Sequence, residues 1–163
     1  MSLELEMDAP DDFDFVIGNW MVKHRRLKER LKNSQEWVEF EGRSCTRKIL
    51  GGFGNIEDNQ LFMPDASYRA VALRSYDAKN KRWSIWWLDG RFPGVLDVPV
   101  VGRFLDKIGE FFAEDVLDSR PIKIRFKWST SMDGRPHWEQ AFSADGGETW
   151  ETNWTMEFCP CIA

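Results

Sequence analysis

The 163-residue chain is poor in the residues that cross-link small secreted proteins or bind metals, with only three cysteines and two histidines. Three cysteines are too few for a disulfide framework. A closed four-ligand zinc site would also have few donors to draw on. We therefore expect free thiols in a reducing compartment and no bound metal.

Long apolar runs and an excess of basic residues are also missing. No stretch approaches the roughly 18 apolar residues of a membrane-spanning helix, and the N-terminus lacks the pattern of a signal peptide. Lysine and arginine number 22 against 27 acidic residues, which gives a formal net charge of −5. A binder of nucleic-acid backbones needs a basic face. We expect a cytoplasmic protein with neither a membrane nor a nucleic-acid partner.

Recognised catalytic motifs are absent from the sequence. It has no glycine-rich phosphate loop, no Gly-x-Ser-x-Gly and no His-Glu-x-x-His. Large rings, in contrast, are abundant, with nine tryptophans and twelve phenylalanines. Such rings suit the filling or lining of a cavity.

Alternation of apolar and polar residues with period two dominates the chain from Trp20 onward, which is typical of antiparallel strands with one buried face. In the last of these segments, the even-numbered residues from Trp150 to Phe158 are predicted to share the buried face. Turn residues recur about every ten positions. Nine such breaks separate ten predicted strands, near residues 19–32, 35–50, 55–63, 67–76, 81–89, 100–106, 109–117, 120–130, 136–143 and 149–158.

Ten strands joined by short turns leave no room for crossover helices, and a meander that closes on itself removes its exposed edges. We predict an all-β fold, a single up-and-down antiparallel β-barrel domain of about ten strands that covers residues 1–163. A short helix is expected over Asp11–Val16, with Asp8 as its N-cap. Residues 1–8 and 159–163 are expected to be flexible tails.

Four segments carry a resemblance to known barrels. Gly18-Asn19-Trp20, after a short helical lead-in, resembles the start of the lipocalins and fatty-acid-binding proteins of the calycin superfamily. Three longer segments, Trp83–Arg91, Pro99–Phe104 and Trp138–Trp154, resemble a family of uncharacterised bacterial lipocalin-like proteins of about this length. The resemblance implies a ten-stranded barrel, and it brings no assigned activity or catalytic residues.

The resemblance also implies that Trp20 plugs the closed end of the barrel. Lipocalins place a late arginine over this tryptophan, but here no arginine follows Arg135. Another side chain must therefore pack on Trp20, and Trp154 and Phe158 are the candidates.

The first strand is predicted to carry a polar pair on its inner face. Because side chains alternate, His24 and Arg26 share the face of Trp20. A two-residue turn at Asn33-Ser34 would place Arg26 opposite Glu41 and His24 opposite Arg43. These residues either orient an anionic ligand inside the barrel or belong to a solvated, charged hairpin.

The longest break, Asp89–Pro99, is expected at the open mouth, where a rigid scaffold displays recognition groups. Arg91 either clamps a carboxylate or phosphate, or pairs with Asp89 or Asp97 to hold the loop. Trp86 and Trp87 are neighbours in a strand, so one lines the barrel and the other packs against the loop or a partner subunit. The candidate ligand-binding residues are Arg26, Arg91, Trp86, Trp87, Trp138 and Gln140.

Three functions remain open at this point. The leading hypothesis is the binding of a small apolar or amphipathic molecule, most simply an anion, inside the barrel. The first alternative is an enzyme that acts on such a molecule with His24 as acid or base. The second is a non-catalytic, homodimeric interaction protein with a filled barrel. No cofactor is expected, and haem ligation by His24 or His137 is the alternative to that expectation.

Overall fold

The computed structural model of the chain describes residues 3–161 and contains one closed antiparallel barrel. Each of ten strands pairs with its neighbours in sequence, and the first strand pairs with the last. The predicted all-β, ten-stranded, up-and-down barrel is therefore confirmed. The strands are β1 Gly18–Leu27, β2 Trp37–Ile49, β3 Gly54–Phe62, β4 Tyr68–Asp77, β5 Arg82–Asp89, β6 Val100–Leu105, β7 Ile108–Leu117, β8 Arg120–Thr130, β9 Pro136–Ser143 and β10 Glu151–Pro160.

Helical structure in residues 3–161 is limited to short 3-10 turns. The predicted helix over Asp11–Val16 is a single turn at Asp14–Val16, and a second turn covers Leu50–Gly52. In this part of the chain no helix is long and apolar enough to cross a membrane.

The two predicted tails are partly described. At the C-terminal end, Cys159 and Pro160 pair with Met21 and Trp20 as part of the barrel wall. Near the other terminus, the Glu6 backbone N–H donates to Gly51 O at 2.7 Å. Residues 1–2 and 162–163 lie outside the described residues.

The predicted pairing of β1 with β2 is wrong, although the inward face of β1 is right. His24 lies opposite Phe40 and Arg26 lies opposite Val38, because residues 28–36 form a longer connection than a two-residue turn. This change of register turns Arg43 to the outer face.

A β-bulge at Asn153 also reverses the predicted face of the start of β10. Trp154, Met156 and Phe158 are buried as expected, but the register with β9 shifts between Thr152 and Trp154. Trp150 consequently packs outside the barrel, where the Arg125 guanidinium lies 4.7 Å from its ring centre.

The closed end is plugged mainly by Phe13, from the segment that precedes β1. The Phe13 ring is only 2% exposed. It meets Trp83 and Phe104 edge to face, with ring centres 4.8 and 4.9 Å apart. The Trp83 indole N–H in turn donates to Asp12 Oδ2 at 2.8 Å, which fixes the segment to the barrel.

Trp20 lies at the same end but is only half-buried. Its indole N–H donates to Val16 O at 2.9 Å, and its ring meets Phe158 with ring centres 6.3 Å apart. Of the two candidates for packing on Trp20, Phe158 takes this position. Trp154 lies instead among the residues of the barrel mouth.

A buried ion pair lies inside the barrel beside the plug. Arg74 on β4 and Glu57 on β3 are 1% and 2% exposed, and Arg74 Nη2 lies 2.8 Å from Glu57 Oε1. Arg74 Nη1 donates to Asn55 Oδ1, and Asn59 Nδ2 donates to Glu57 Oε2. The guanidinium also lies 4.9 Å from the centre of the Phe13 ring. The plug and the ion pair therefore form one packed unit that fills the closed half of the barrel.

Candidate ligand-binding site

A cavity of about 460 Å³ opens at the opposite end of the barrel, which we call the mouth cavity. This volume is within the range of small-molecule sites, roughly 300–1,000 Å³. Its walls come from β1, β5 and β7 to β10, from the connection over residues 28–36, and from the loop over residues 90–99. The lining residues are Arg26, Arg30, Trp87, Asp89, Arg91, Phe92, Val95, Asp97, Asp115, Ile124, Phe126, Trp138, Gln140, Phe142 and Trp154.

Four aromatic rings form a continuous apolar wall of the mouth cavity. Trp154 meets Trp87 and Trp138 edge to face, with ring centres 5.8 and 5.3 Å apart and interplanar angles of 84° and 87°. Phe126 meets Trp138 in the same way at 5.1 Å. Edge-to-face packing is a favourable arrangement of aromatic rings, so each ring of the wall stabilises the position of the next.

Arg26 and Arg30 supply positive charge to the lining of the cavity. The Arg26 guanidinium lies 4.6 Å from the centre of the Trp154 ring and donates to the Tyr68 hydroxyl at 3.4 Å. Arg30 Nε is buried and, within residues 3–161, has no hydrogen-bond partner. Neither guanidinium lies within 4.0 Å of a described carboxylate. Both can therefore accept a new anionic partner.

Burial, followed by the charge of Arg26, lowers the pKa of Arg30 to about 10. A pKa of about 10 still leaves this group positively charged near neutral pH. The mutual repulsion of the two guanidinium groups is relieved when an anion binds between them.

Arg91 is held by Asp89, the last residue of β5, and by Tyr68, the first residue of β4. Its Nη2 lies 2.7 Å from Asp89 Oδ2, and its Nε donates to Asp89 Oδ1 at 3.1 Å. Its guanidinium also stacks on Tyr68, 3.7 Å from the ring centre. The hydrogen bonds from Arg91 hold the pKa of Asp89 below its usual value. Of the two readings of Arg91, this geometry favours the one in which it holds the loop.

Two further carboxylates, Asp97 in the loop and Asp115 on β7, line the cavity. Neither has a Lys, Arg or His nitrogen within 4.0 Å among the residues that the structure describes. Burial, followed by the charges of Asp115 and Asp89, raises the pKa of Asp97. Both carboxylates are exposed to solvent, and the cavity is thus lined by carboxylates as well as by guanidinium groups.

The loop over residues 90–99 replaces a missing part of the barrel wall. β5 and β6 are paired at only three positions, from Trp83 to Ile85 on the β5 side. Beyond these, Asp97 N donates to Trp87 O at 3.1 Å. The loop therefore borders the cavity where the β5–β6 ladder stops.

His24 is buried below the cavity and is not one of its lining residues. Its ring stacks on Phe40 with ring centres 4.5 Å apart, and its Nδ1 accepts the Trp154 indole N–H at 3.1 Å. Burial, followed by the charge of Arg26, lowers the pKa of His24 to about 3. The imidazole is therefore neutral near neutral pH, and Nδ1 is already occupied, which argues against a role as acid, base or haem ligand.

The buried state of His24 predicts a loss of stability in acid. In the unfolded chain a histidine binds a proton below about pH 6.5, whereas His24 in the folded chain does so only near pH 3. The free energy of unfolding should therefore fall as the pH drops from 6.5 to 4.5, by up to about 1.4 kcal/mol per pH unit from this group. Urea denaturation at a series of pH values measures this slope.

Two glutamine variants separate His24 from the other histidine. His24→Gln keeps an acceptor for Trp154 but does not titrate, so the slope should be lost. His137→Gln is the control, because His137 lies on the outer face beside Glu139. Equal slopes in the wild type and both variants would contradict the assignment.

The structure brings together most of the residues predicted from the sequence. Arg26, Arg91, Trp87, Trp138 and Gln140 line the mouth cavity. Trp86 does not, since it lies opposite Leu73 on the outer face of the barrel.

Sequence reasoning missed several lining residues, notably Arg30, Asp97 and Asp115. Arg30 and Asp97 lie in connections outside the strands, where alternation gives no direction. Asp115 shares the inward face of Phe111 on β7, so its parity was a usable signal.

Metal-binding side chains do not cluster in the described residues, where no group of three or more His, Cys, Asp or Glu could hold an ion. A comparison with protein-family models and with curated protein sequences found no match to the chain.

Proposed function

We propose that this protein binds a small amphipathic molecule with an anionic group in the mouth cavity. The observation that carries the proposal is the juxtaposition of a continuous aromatic wall with two guanidinium groups, Arg26 and Arg30, that have no carboxylate partner among residues 3–161. An anionic head group meets the guanidinium groups, and the apolar body lies against Trp87, Trp138 and Trp154.

The two alternative functions are less well supported. The enzyme hypothesis depends on His24, which lies outside the cavity with its Nδ1 occupied. The filled-barrel hypothesis fits the closed half of the barrel, where Phe13 and the Arg74–Glu57 pair occupy the interior. It does not fit the other half, where the mouth cavity is open.

We also propose that the chain belongs to the bacterial lipocalin-like proteins of the calycin superfamily. A ten-stranded up-and-down barrel that is plugged at one end and open at the other supports it. Free thiols at Cys45, Cys159 and Cys161 support a reducing compartment such as the cytoplasm.

Octanoate and octan-1-ol, which share an apolar chain, test the role of the guanidinium groups. The wild type should bind both, and tryptophan fluorescence should report the binding because three tryptophans line the cavity. Arg26→Gln and Arg30→Gln should each weaken octanoate by roughly ten-fold or more, since a charge-assisted hydrogen bond contributes about 1.5–3 kcal/mol. The affinity for octan-1-ol should change little. Isothermal titration calorimetry gives the dissociation constants.

Arg47→Gln is the matched control, because Arg47 is exposed on the outer face of β2. It should leave both affinities unchanged. Equal weakening of octanoate and octan-1-ol by Arg26→Gln would show that Arg26 only shapes the cavity. Failure of the folded wild type to bind either probe would favour the interaction protein.

A further inference from the structure

Two side-chain amides meet at the aromatic wall of the mouth cavity. Gln140 on β9 lines the cavity, between Trp138 and Phe142 on the same face of the strand. Its Nε2 donates to Asn153 Oδ1 at 2.8 Å. Strict alternation would turn Asn153 away from the cavity, but this residue occupies the β-bulge of β10, where the register with β9 shifts. The bulge therefore brings a second amide to the wall.

The hydrogen bonds of this amide pair are incomplete. Asn153 is 0% exposed, and its Nδ2 has no hydrogen-bond partner among residues 3–161. Gln140 Oε1 accepts no hydrogen bond from the same part of the chain, although Gln140 borders the open cavity. Nearly all buried polar groups in folded proteins are hydrogen-bonded. The amide pair thus lacks a further polar partner, and such a partner can reach Gln140 from the cavity.

Strand register places the amide pair close to Arg26. Arg26 on β1 lies opposite Trp154 on β10, and Trp154 lies opposite Gln140 on β9. Neighbouring strands lie about 4.8 Å apart, so the backbones at Arg26 and Gln140 are separated by roughly 10 Å. The Arg26 guanidinium lies 4.6 Å from the centre of the Trp154 ring. A cationic group and a neutral polar group thus lie in one row, with a single tryptophan between them.

We propose that the ligand is a hydroxy acid: its carboxylate lies beside Arg26, its hydroxyl group pairs with Gln140, and its apolar body lies against Trp154. This inference rests on the proposed function, and it names the class of molecule that the same cavity selects. A hydroxyl group suits this position because it both donates and accepts, whereas an amide is an acceptor at one end and a donor at the other. The hydroxyl group therefore pairs with either end of the Gln140 amide.

Two probes that differ only in the hydroxyl group, 3-(4-hydroxyphenyl)propanoate and 3-phenylpropanoate, give a test by sign. In a cavity that is merely apolar around its arginines, the hydroxyl group weakens binding, because it loses water without gaining a partner. In the cavity proposed here, the hydroxylated acid binds more tightly, by roughly five-fold, because its hydroxyl group gains a hydrogen bond to the amide pair. Isothermal titration calorimetry on the full chain measures both affinities. Equal or weaker binding of the hydroxylated acid overturns the inference.

Gln140→Leu assigns the preference to the amide. Leucine keeps an apolar side chain of similar size in the wall, so this variant should bind 3-phenylpropanoate at least as tightly as the wild type and lose the preference for the hydroxylated acid. Gln60→Leu is the matched control, because Gln60 lies on the outer face of β3, and it should keep the preference. A preference that persists in Gln140→Leu also overturns the inference. If Gln140→Leu does not fold, the order of the two probes on the wild type still decides.

Octanoate separates this inference from the proposed function. Octanoate binding that depends on Arg26 and Arg30, without a preference for the hydroxylated aromatic acid, would retain the proposed function and reject the hydroxy acid. Failure of octanoate and both aromatic acids to bind the folded protein would reject both.

Discussion

Replacement of Glu57 by glutamine should lower the free energy of unfolding by about 3–5 kcal/mol, because it leaves the Arg74 guanidinium charged and unpaired inside the barrel. Glutamine has nearly the shape of glutamate, so the substitution creates almost no cavity. The loss of stability therefore measures the effect of removing the negative charge. Arg74 already lies among Phe13, Trp128 and Asn55, none of which can replace the carboxylate. Urea denaturation followed by tryptophan fluorescence measures the change.

Two further variants control for this interpretation. Asp58→Asn removes a carboxylate from the next residue of β3, but Asp58 is exposed on the outer face, so the effect should stay within about 0.5 kcal/mol. The double variant Arg74→Met/Glu57→Leu buries no charge, so it should recover part of the loss seen in Glu57→Gln. A Glu57→Gln variant as stable as the wild type would show that the ion pair does not stabilise the fold.

Truncation of Phe13 to alanine should also cost about 3–5 kcal/mol, because the ring is fully buried and its removal leaves a cavity that the rigid barrel wall cannot close. The melting temperature should fall by roughly 2–4 °C for each kcal/mol lost. Thermal unfolding followed by circular dichroism measures this shift.

Trp20→Ala is the informative comparison. The resemblance to lipocalins implies that Trp20 is the plug, whereas the structure leaves it half-buried and gives the central position to Phe13. We therefore expect a smaller loss for Trp20→Ala than for Phe13→Ala. A larger loss of stability for Trp20→Ala than for Phe13→Ala would show that Trp20 is the main plug of the closed end.

The architecture could be predicted because its signals are local. Alternation with period two and turn residues at short intervals place ten strands, and closure follows from the need to pair both edges. The errors share one physical cause, which is the addition of residues that reverse parity. Residues 28–36 change the register of β2, and the bulge at Asn153 changes the face of Trp150. Neither leaves a clear mark in the sequence, because both depend on pairing with a distant strand.

The candidate site could be predicted only where strands position it. Arg26 and Trp138 follow from alternation, since their strands are regular, whereas for Trp86 and Trp87 alternation says only that one of the two faces inward. Arg30 and Asp97 could not be placed, because loop conformation depends on contacts distant in sequence. The buried ion pair of Arg74 and Glu57 was not predicted for a different reason. Charged residues in a strand usually face water, and only the assembled barrel shows that these two contact each other inside it.

The short pairing between β5 and β6 makes the wall of the mouth cavity mechanically uneven. Around most of its circumference the barrel is held by continuous ladders, and widening it there would break several hydrogen bonds at once. Beside the cavity, within residues 3–161, two backbone hydrogen bonds tie the loop to the mouth-side half of β5, from Phe92 N to Asp89 O at 2.9 Å and from Asp97 N to Trp87 O at 3.1 Å. Each such bond contributes only about 1 kcal/mol. We therefore expect the barrel to open more easily along this seam than along its continuous ladders, so that ligands of different width would be accommodated there while the other strands stay paired.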